Sequence, residues 1–116
     1  MALRTNIYNI ADGLQSQLFW SKLANIQEVF THIIIRGADA DINISWWNGN
    51  NNVEADASTI KYTDKHGDDI PIQLDLGDGE HMVAIDTFYG AWGWVKIDPL
   101  TATTGTVEVI TVAKDN

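Results

Sequence analysis

The feature that most narrows the possible folds is a series of short alternating runs, each closed by residues that turn a chain cheaply. Ile42, Ile44 and Trp46 alternate with Asn43, Ser45 and Trp47, and Asn48-Gly49-Asn50-Asn51-Asn52 follows. Asn and Gly accept positive φ at little cost, and Asn bonds its own backbone, so that run reads as a turn. Ile70, Ile72, Leu74 and Leu76 alternate with Pro71, Gln73 and Asp75 ahead of a second turn at Asp78-Gly79. Side chains two apart share one face of a strand, so each run can bury one side and wet the other. A chain assembled from such pieces is all-β.

Taken in order, Leu3 to Ile10 is a first strand and Asp12-Gly13 a turn. Residues 14–26 are compatible with two states. Leu14, Leu18, Trp20 and Leu23 fit one short helix, whereas Ser16 to Trp20 fit an extended strand equally well. Val29 to Arg36 contains Ile33-Ile34-Ile35, a β-branched run suited to a strand buried on both faces. Ser58 to Thr63 is the next strand, and Asp64 to Asp69 a polar loop. Pro71 lacks an N–H to donate, which places its strand at a sheet edge. His81 to Phe88, Trp92 to Asp98 and Thr106 to Ala113 complete the set, with Pro99 to Gly105 as a loop. About eight strands with turn chemistry between them predict an antiparallel β-sandwich, jelly-roll-like, in a single domain spanning 1–116.

The tryptophans are the candidates for binding. In the stretch Asp86 to Asp98, Gly93, Val95 and Ile97 fall on one face of a strand, and Trp92, Trp94, Lys96 and Asp98 on the other. Indoles left in water are costly, so a neighbouring strand, a second subunit or a ligand is expected to cover them. Trp46, Trp47, Trp92, Trp94 and Lys96 are therefore the expected contact residues. One reading makes the indoles a stacking platform for sugars, with Asn48 to Asn52 bonding hydroxyls. The other puts one member of each tryptophan pair in the core and its neighbour at a rim or subunit interface.

Charge removes several function classes. Sixteen acidic residues against seven basic ones leave a net charge of −9. Nucleic-acid and anionic-membrane binders need a positive field, so neither partner is expected. The chain has no cysteine, and hence neither disulfides nor thiolate metal ligands. No apolar run is long enough for a transmembrane helix, and the first residues lack the features of a signal peptide, so synthesis without export is expected. The carboxylates at Asp39, Asp41, Asp64, Asp68, Asp69, Asp75, Asp78 and Glu80 cluster at turns. There they serve as solvated caps, with a structural calcium site as the lesser alternative. His32, His66 and His81 form no ligand pair, and no nucleophile motif occurs. No catalytic residue, metal or cofactor is expected.

The C-terminal third carries a resemblance. Gly77-Asp-Gly-Glu80, an alternating strand, Tyr89-Gly-Ala-Trp-Gly-Trp-Val-Lys-Ile-Asp98 and Thr104-Gly-Thr-Val-Glu-Val-Ile-Thr111 are similar to the ends of small tailed-bacteriophage virion proteins. These are capsid decoration proteins and head-fibre or tail-associated subunits, many of them trimeric. The resemblance covers roughly residues 70 to 116. It implies a non-enzymatic virion structural protein, made in the host cytoplasm, that forms a homo-oligomer (a trimer first) and contacts other virion proteins such as the capsid protein. It carries over no active-site residues. A carbohydrate-binding or receptor-binding module using the exposed tryptophans is the alternative.

Overall fold

Alternation becomes pairing in the computed structural model, which describes residues 2–21, 26–85 and 92–115. The strands are β1 (Ala2–Asn9), β2 (Gln15–Ser21), β3 (Ile26–Arg36), β4 (Ile42–Gly49), β5 (Ser58–Thr59), β6 (Lys61–Thr63), β7 (Asp69–Pro71), β8 (Gln73–Leu76), β9 (Gly79–Ile85), β10 (Trp92–Asp98) and β11 (Thr106–Asp115). Short 3-10 turns at Ile10–Asp12 and Glu54–Asp56 are the helical segments among the described residues. None is long and apolar enough to cross a membrane. The segment 86–91, with the expected strand end at Phe88, and residues 22–25 lie outside the described residues.

One sheet has the order β1-β11-β3-β9; the other runs β2-β10-β4, with β5 and β8 sharing the far edge of β4. All pairings are antiparallel. Along the chain β1, β3, β9 and β11 fall in the first sheet, while β2, β4 and β10 fall between them in the second. This is jelly-roll winding of a two-sheet sandwich. The core between the sheets is built from the inward residues of both: Val29, Ile33, Ile35, Val107 and Val109 from one, Ile42, Ile44, Trp46, Val95 and Ile97 from the other.

Residues 15–21 are extended, not helical. β2 hydrogen-bonds β10 from Gln15↔Ile97 to Ser21↔Trp92, with a bulge opposite Gly93/Trp94. That ladder and an inward polar side chain override the weak helical spacing. Gln17 is buried, receives the Tyr8 hydroxyl at 3.2 Å and donates to Thr111 Oγ1 at 3.0 Å. The Ile33-Ile34-Ile35 run also departs from expectation: Ile33 and Ile35 are buried, but Ile34 is half-exposed on the outer side of β3.

The edge of β4 carries a three-way junction. Trp46 N–H donates to the Ile72 carbonyl at 3.4 Å, Ile60 N–H to the Trp46 carbonyl at 2.8 Å, and Ile72 N–H to the Ile60 carbonyl at 2.8 Å. There the chain between β5 and β8 leaves the edge as the β6–β7 hairpin. Pro71 faces Lys61 in that hairpin and β7 pairs β6 alone, consistent with its missing donor.

Carboxylates stitch the loops at the sheet ends. Asp39 accepts Thr103 N–H at 2.7 Å, Thr103 Oγ1–H at 2.6 Å and Thr104 N–H at 3.2 Å, joining the β3–β4 turn to the loop before β11. The Thr103 hydroxyl, then the Thr103 and Thr104 amides, hold its carboxyl down from the ordinary 3.8 to about 2. A depressed folded-state value means that the unfolded chain binds more protons between those two pH values, so stability rises with pH across that window. The stability gap between wild type and Asp39→Ala is expected to be constant at about pH 5–7 and to close as pH falls through about 2. Thermal melts over that range check it; a gap that ignores pH would contradict the assignment.

Candidate functional site

The tryptophans sort by strand parity. Trp46 points inward, is fully buried and donates Nε1–H to Thr31 Oγ1 on the opposite sheet at 3.0 Å. It is a core residue, which removes it from the expected contact set. Trp47 points outward, and β10 aligns with β4 so that Trp94 pairs with Trp47, Lys96 with Ser45 and Asp98 with Asn43. These four β10 residues, Trp92, Trp94, Lys96 and Asp98, occupy the outer face of the second sheet, as the alternation predicted. Trp92 is half-buried there, opposite Gly49.

Trp94 is nevertheless only 5% exposed. Its cover comes from its own chain. Its ring edge lies against Gly49, where the segment joining β4 to β5 begins, and Ala57 at the end of that segment packs near the same glycine. The turn in that segment sends Glu54 across the sheet, where it accepts from Ser16 Oγ at 2.8 Å and pairs with Lys96 Nζ at 3.7 Å. Trp94 is thus not available as a platform. The other half of this face stays open. Trp47 is half-buried, its Nε1–H satisfied by Ser45 Oγ at 2.8 Å, with Lys96 Nζ 3.7 Å from its ring centroid. Around it a groove of about 280 Å³ is lined by Leu14, Asn43, Ser45, Trp47, Thr59, Gln73, Lys96 and Asp98.

The outer face of the first sheet is a second surface, one that reading the tryptophans did not anticipate. Its cross-strand rows follow from the register. Leu3, Val112, Phe30 and Ala84 form one row, Thr5, Ile110, His32 and Met82 the next, and Ile7, Glu108, Ile34 and Glu80 a third. Eight of these twelve side chains are apolar, so this face differs from the polar exterior expected of a solvated antiparallel sheet. Leu3, Ile7 and Met82 are 65%, 64% and 69% exposed, and Phe30, Ile34, Ile110 and Val112 are half-exposed. Charge sits at both ends of these rows: at one, Glu80 lies 3.7 Å from His32 and Arg36 follows Ile34 outward, and at the other Glu28 precedes Phe30 on the same face. The signal was present in the chain as apolar residues at both parities of β3 and β11.

Acidic residues act on the backbone. Asp78 accepts from Gly37 N–H at 3.2 Å and Ala38 N–H at 2.8 Å. Asp64 Oδ1 accepts from His66 and Asp68 N–H at 2.8 and 3.0 Å across the tip of the β6–β7 hairpin. Among the described residues no three His, Cys, Asp or Glu side chains are grouped to hold a metal ion. No protein-family model matches the chain, and no curated protein matches it.

Proposed function

We infer that this chain is a non-enzymatic structural subunit of a virus particle, of the tailed-phage decoration or fibre- and tail-associated type. It assembles through the outer face of the β1-β11-β3-β9 sheet, first with further copies of itself in a closed homo-oligomer. The observation that carries this reading is the apolar outer face. Four strands by three rows span about 400 Å² in projection, from strand and residue spacings, and side-chain relief raises the accessible area. That equals the largest apolar patch of an ordinary monomer, about 300–600 Å² and often functional, and is about half the ~800 Å² per partner of a standard interface. Further copies of the chain suit it because the two apolar-rich rows lie together, with Glu80 and Glu108 in the row at one end and Glu28 beyond the other. The chain's net charge of −9 then keeps the assembly solvated. The jelly roll is a fold of viral capsid and lectin domains, which is an analogy of architecture only.

The mass in solution tests it. Light scattering on a sizing column should give a homo-oligomer, a trimer first, at both low and physiological salt, because apolar burial is not screened. Met82→Lys should weaken association about 30-fold or more, since a desolvated, unpaired ammonium costs about 2 kcal/mol or more. Met82 is an exposed position, so the variant should melt as a folded monomer. A wild-type monomer that also leaves undecorated particles unbound would end the proposal.

A further inference from the structure

We propose that the groove on the outer face of the second sheet binds a neutral oligosaccharide, one sugar ring stacking on Trp47. This surface lies on the opposite sheet from the assembly face, so the inference does not depend on that reading.

A sugar ring offers an apolar C–H face and a rim of hydroxyls that both donate and accept. The groove offers the complement. Trp47 supplies the flat apolar element, held in place by its bond to Ser45 Oγ at 2.8 Å. Gln73 brings an amide that donates and accepts, Thr59 a hydroxyl, Lys96 donors and Asp98 acceptors, all lining the same space. The Lys96 ammonium sits 3.7 Å from the indole centroid and covers that ring face, so a sugar stacking there takes the place of the ammonium, which swings aside to bond its hydroxyls. Its pair with Glu54, at 3.7 Å and partly exposed, is a weak tie that a sugar hydroxyl can replace.

Other ligand classes fit less well. An apolar ligand would strand the polar rim without partners. An anionic one meets Asp98 in the groove and the net charge of −9, and a cationic one meets Lys96. Shape points to a chain of sugars. At about 280 Å³ the groove is small for an enclosing ligand pocket. Leu14 and Asp98, however, also line a second cleft of about 440 Å³ reaching Leu100, so the two spaces adjoin at these residues.

The test is titration of the full chain with maltohexaose, cellohexaose, xylohexaose, mannohexaose and chitohexaose up to about 10 mM, followed by indole fluorescence and by the indole N–H resonances. At least one should bind saturably, move the Trp47 resonance (assigned with Trp47→Phe) and leave that of buried Trp46 in place. Trp47→Ala should weaken binding about tenfold or more, as losing one stacked ring does, with the solution mass unchanged. Should Trp47→Ala not fold, Gln73→Ala, at an exposed position, serves instead and should weaken binding about threefold or more. No saturable response to any of the five, binding indifferent to both variants, or binding only of a sialylated or uronate-bearing glycan each overturns the proposal.

Discussion

Replacing Trp46 with alanine is expected to remove about 3–5 kcal/mol of folding stability, a third or more of what a domain this size normally has. Three roles converge on this residue. Its side chain is fully buried at the centre of the sandwich, so truncation leaves a cavity that the surrounding β-branched residues cannot collapse to fill. Its backbone anchors the junction with Ile60 and Ile72, on which the departure of the β6–β7 hairpin rests. Its indole N–H is a polar bond between the two sheets, to Thr31 Oγ1. Trp46→Phe separates the roles. It keeps most of the apolar area and strands the buried Thr31 hydroxyl, so a smaller loss of about 1–3 kcal/mol is expected. In a Thr31→Val background much of that loss should vanish, because no donor is then missed. Denaturant unfolding of the five chains, wild type, the three single variants and the double variant, checks this. A cost under about 1 kcal/mol for Trp46→Ala would mean that the two sheets do not close over it as described.

Gly105→Ala is the second large effect, at about 2–6 kcal/mol, from backbone strain and overpacking together. A Cβ at this position would stand 2.7 Å from the Arg36 carbonyl oxygen and the Gly37 carbonyl carbon, and 2.8 Å from the Ala38 nitrogen. All three are backbone atoms that no rotamer change can move. The φ of +109° adds a conformation that L-residues rarely adopt. The crossing also carries function for the fold: the Gly105 carbonyl accepts Ile10 N–H at 3.0 Å, and Asp39 grips Thr103 and Thr104 next to it. Gly79→Ala is the control. Its φ is +127°, but nothing lies within 4 Å of the added carbon, so it should cost only about 1 kcal/mol of backbone strain. Equal losses for the two glycines would show that the close crossing has no energetic weight.

Local pattern carried the strands a long way. Alternation at Ile42 to Trp46, Trp92 to Asp98 and Thr106 to Ala113 set which side chains share a face, since a strand has a period of two wherever it lies. Turn residues at Gly49 and Gly79, and the missing donor of Pro71, marked where strands end and which one sits at an edge. Sandwich class and the outward direction of Trp47, Trp92, Trp94 and Lys96 were therefore legible from residue order, whereas the breaks at Ile60 and Ile72, which with β2 raise the expected eight or so strands to eleven, were not.

What covers each face was not, because cover depends on segments far apart in the chain. Trp94 and Trp47 are cross-strand neighbours on one face. The first is buried, its ring against Gly49 at the end of β4, while the second is half-buried beside an open groove. Residues 15–21 carry a spacing that suits either state; the ladder to β10 made them a strand, and no local preference was strong enough to resist it. The unbroken Ile33-Ile34-Ile35 run announced apolar groups on both faces of β3. Only the register of β1, β11, β3 and β9 set Ile34 in a sheet-wide apolar surface with Leu3, Ile7 and Met82. Periodicity acts between near neighbours and can be read along a line, whereas burial is a sum over contacts that exist only once the sheets have closed.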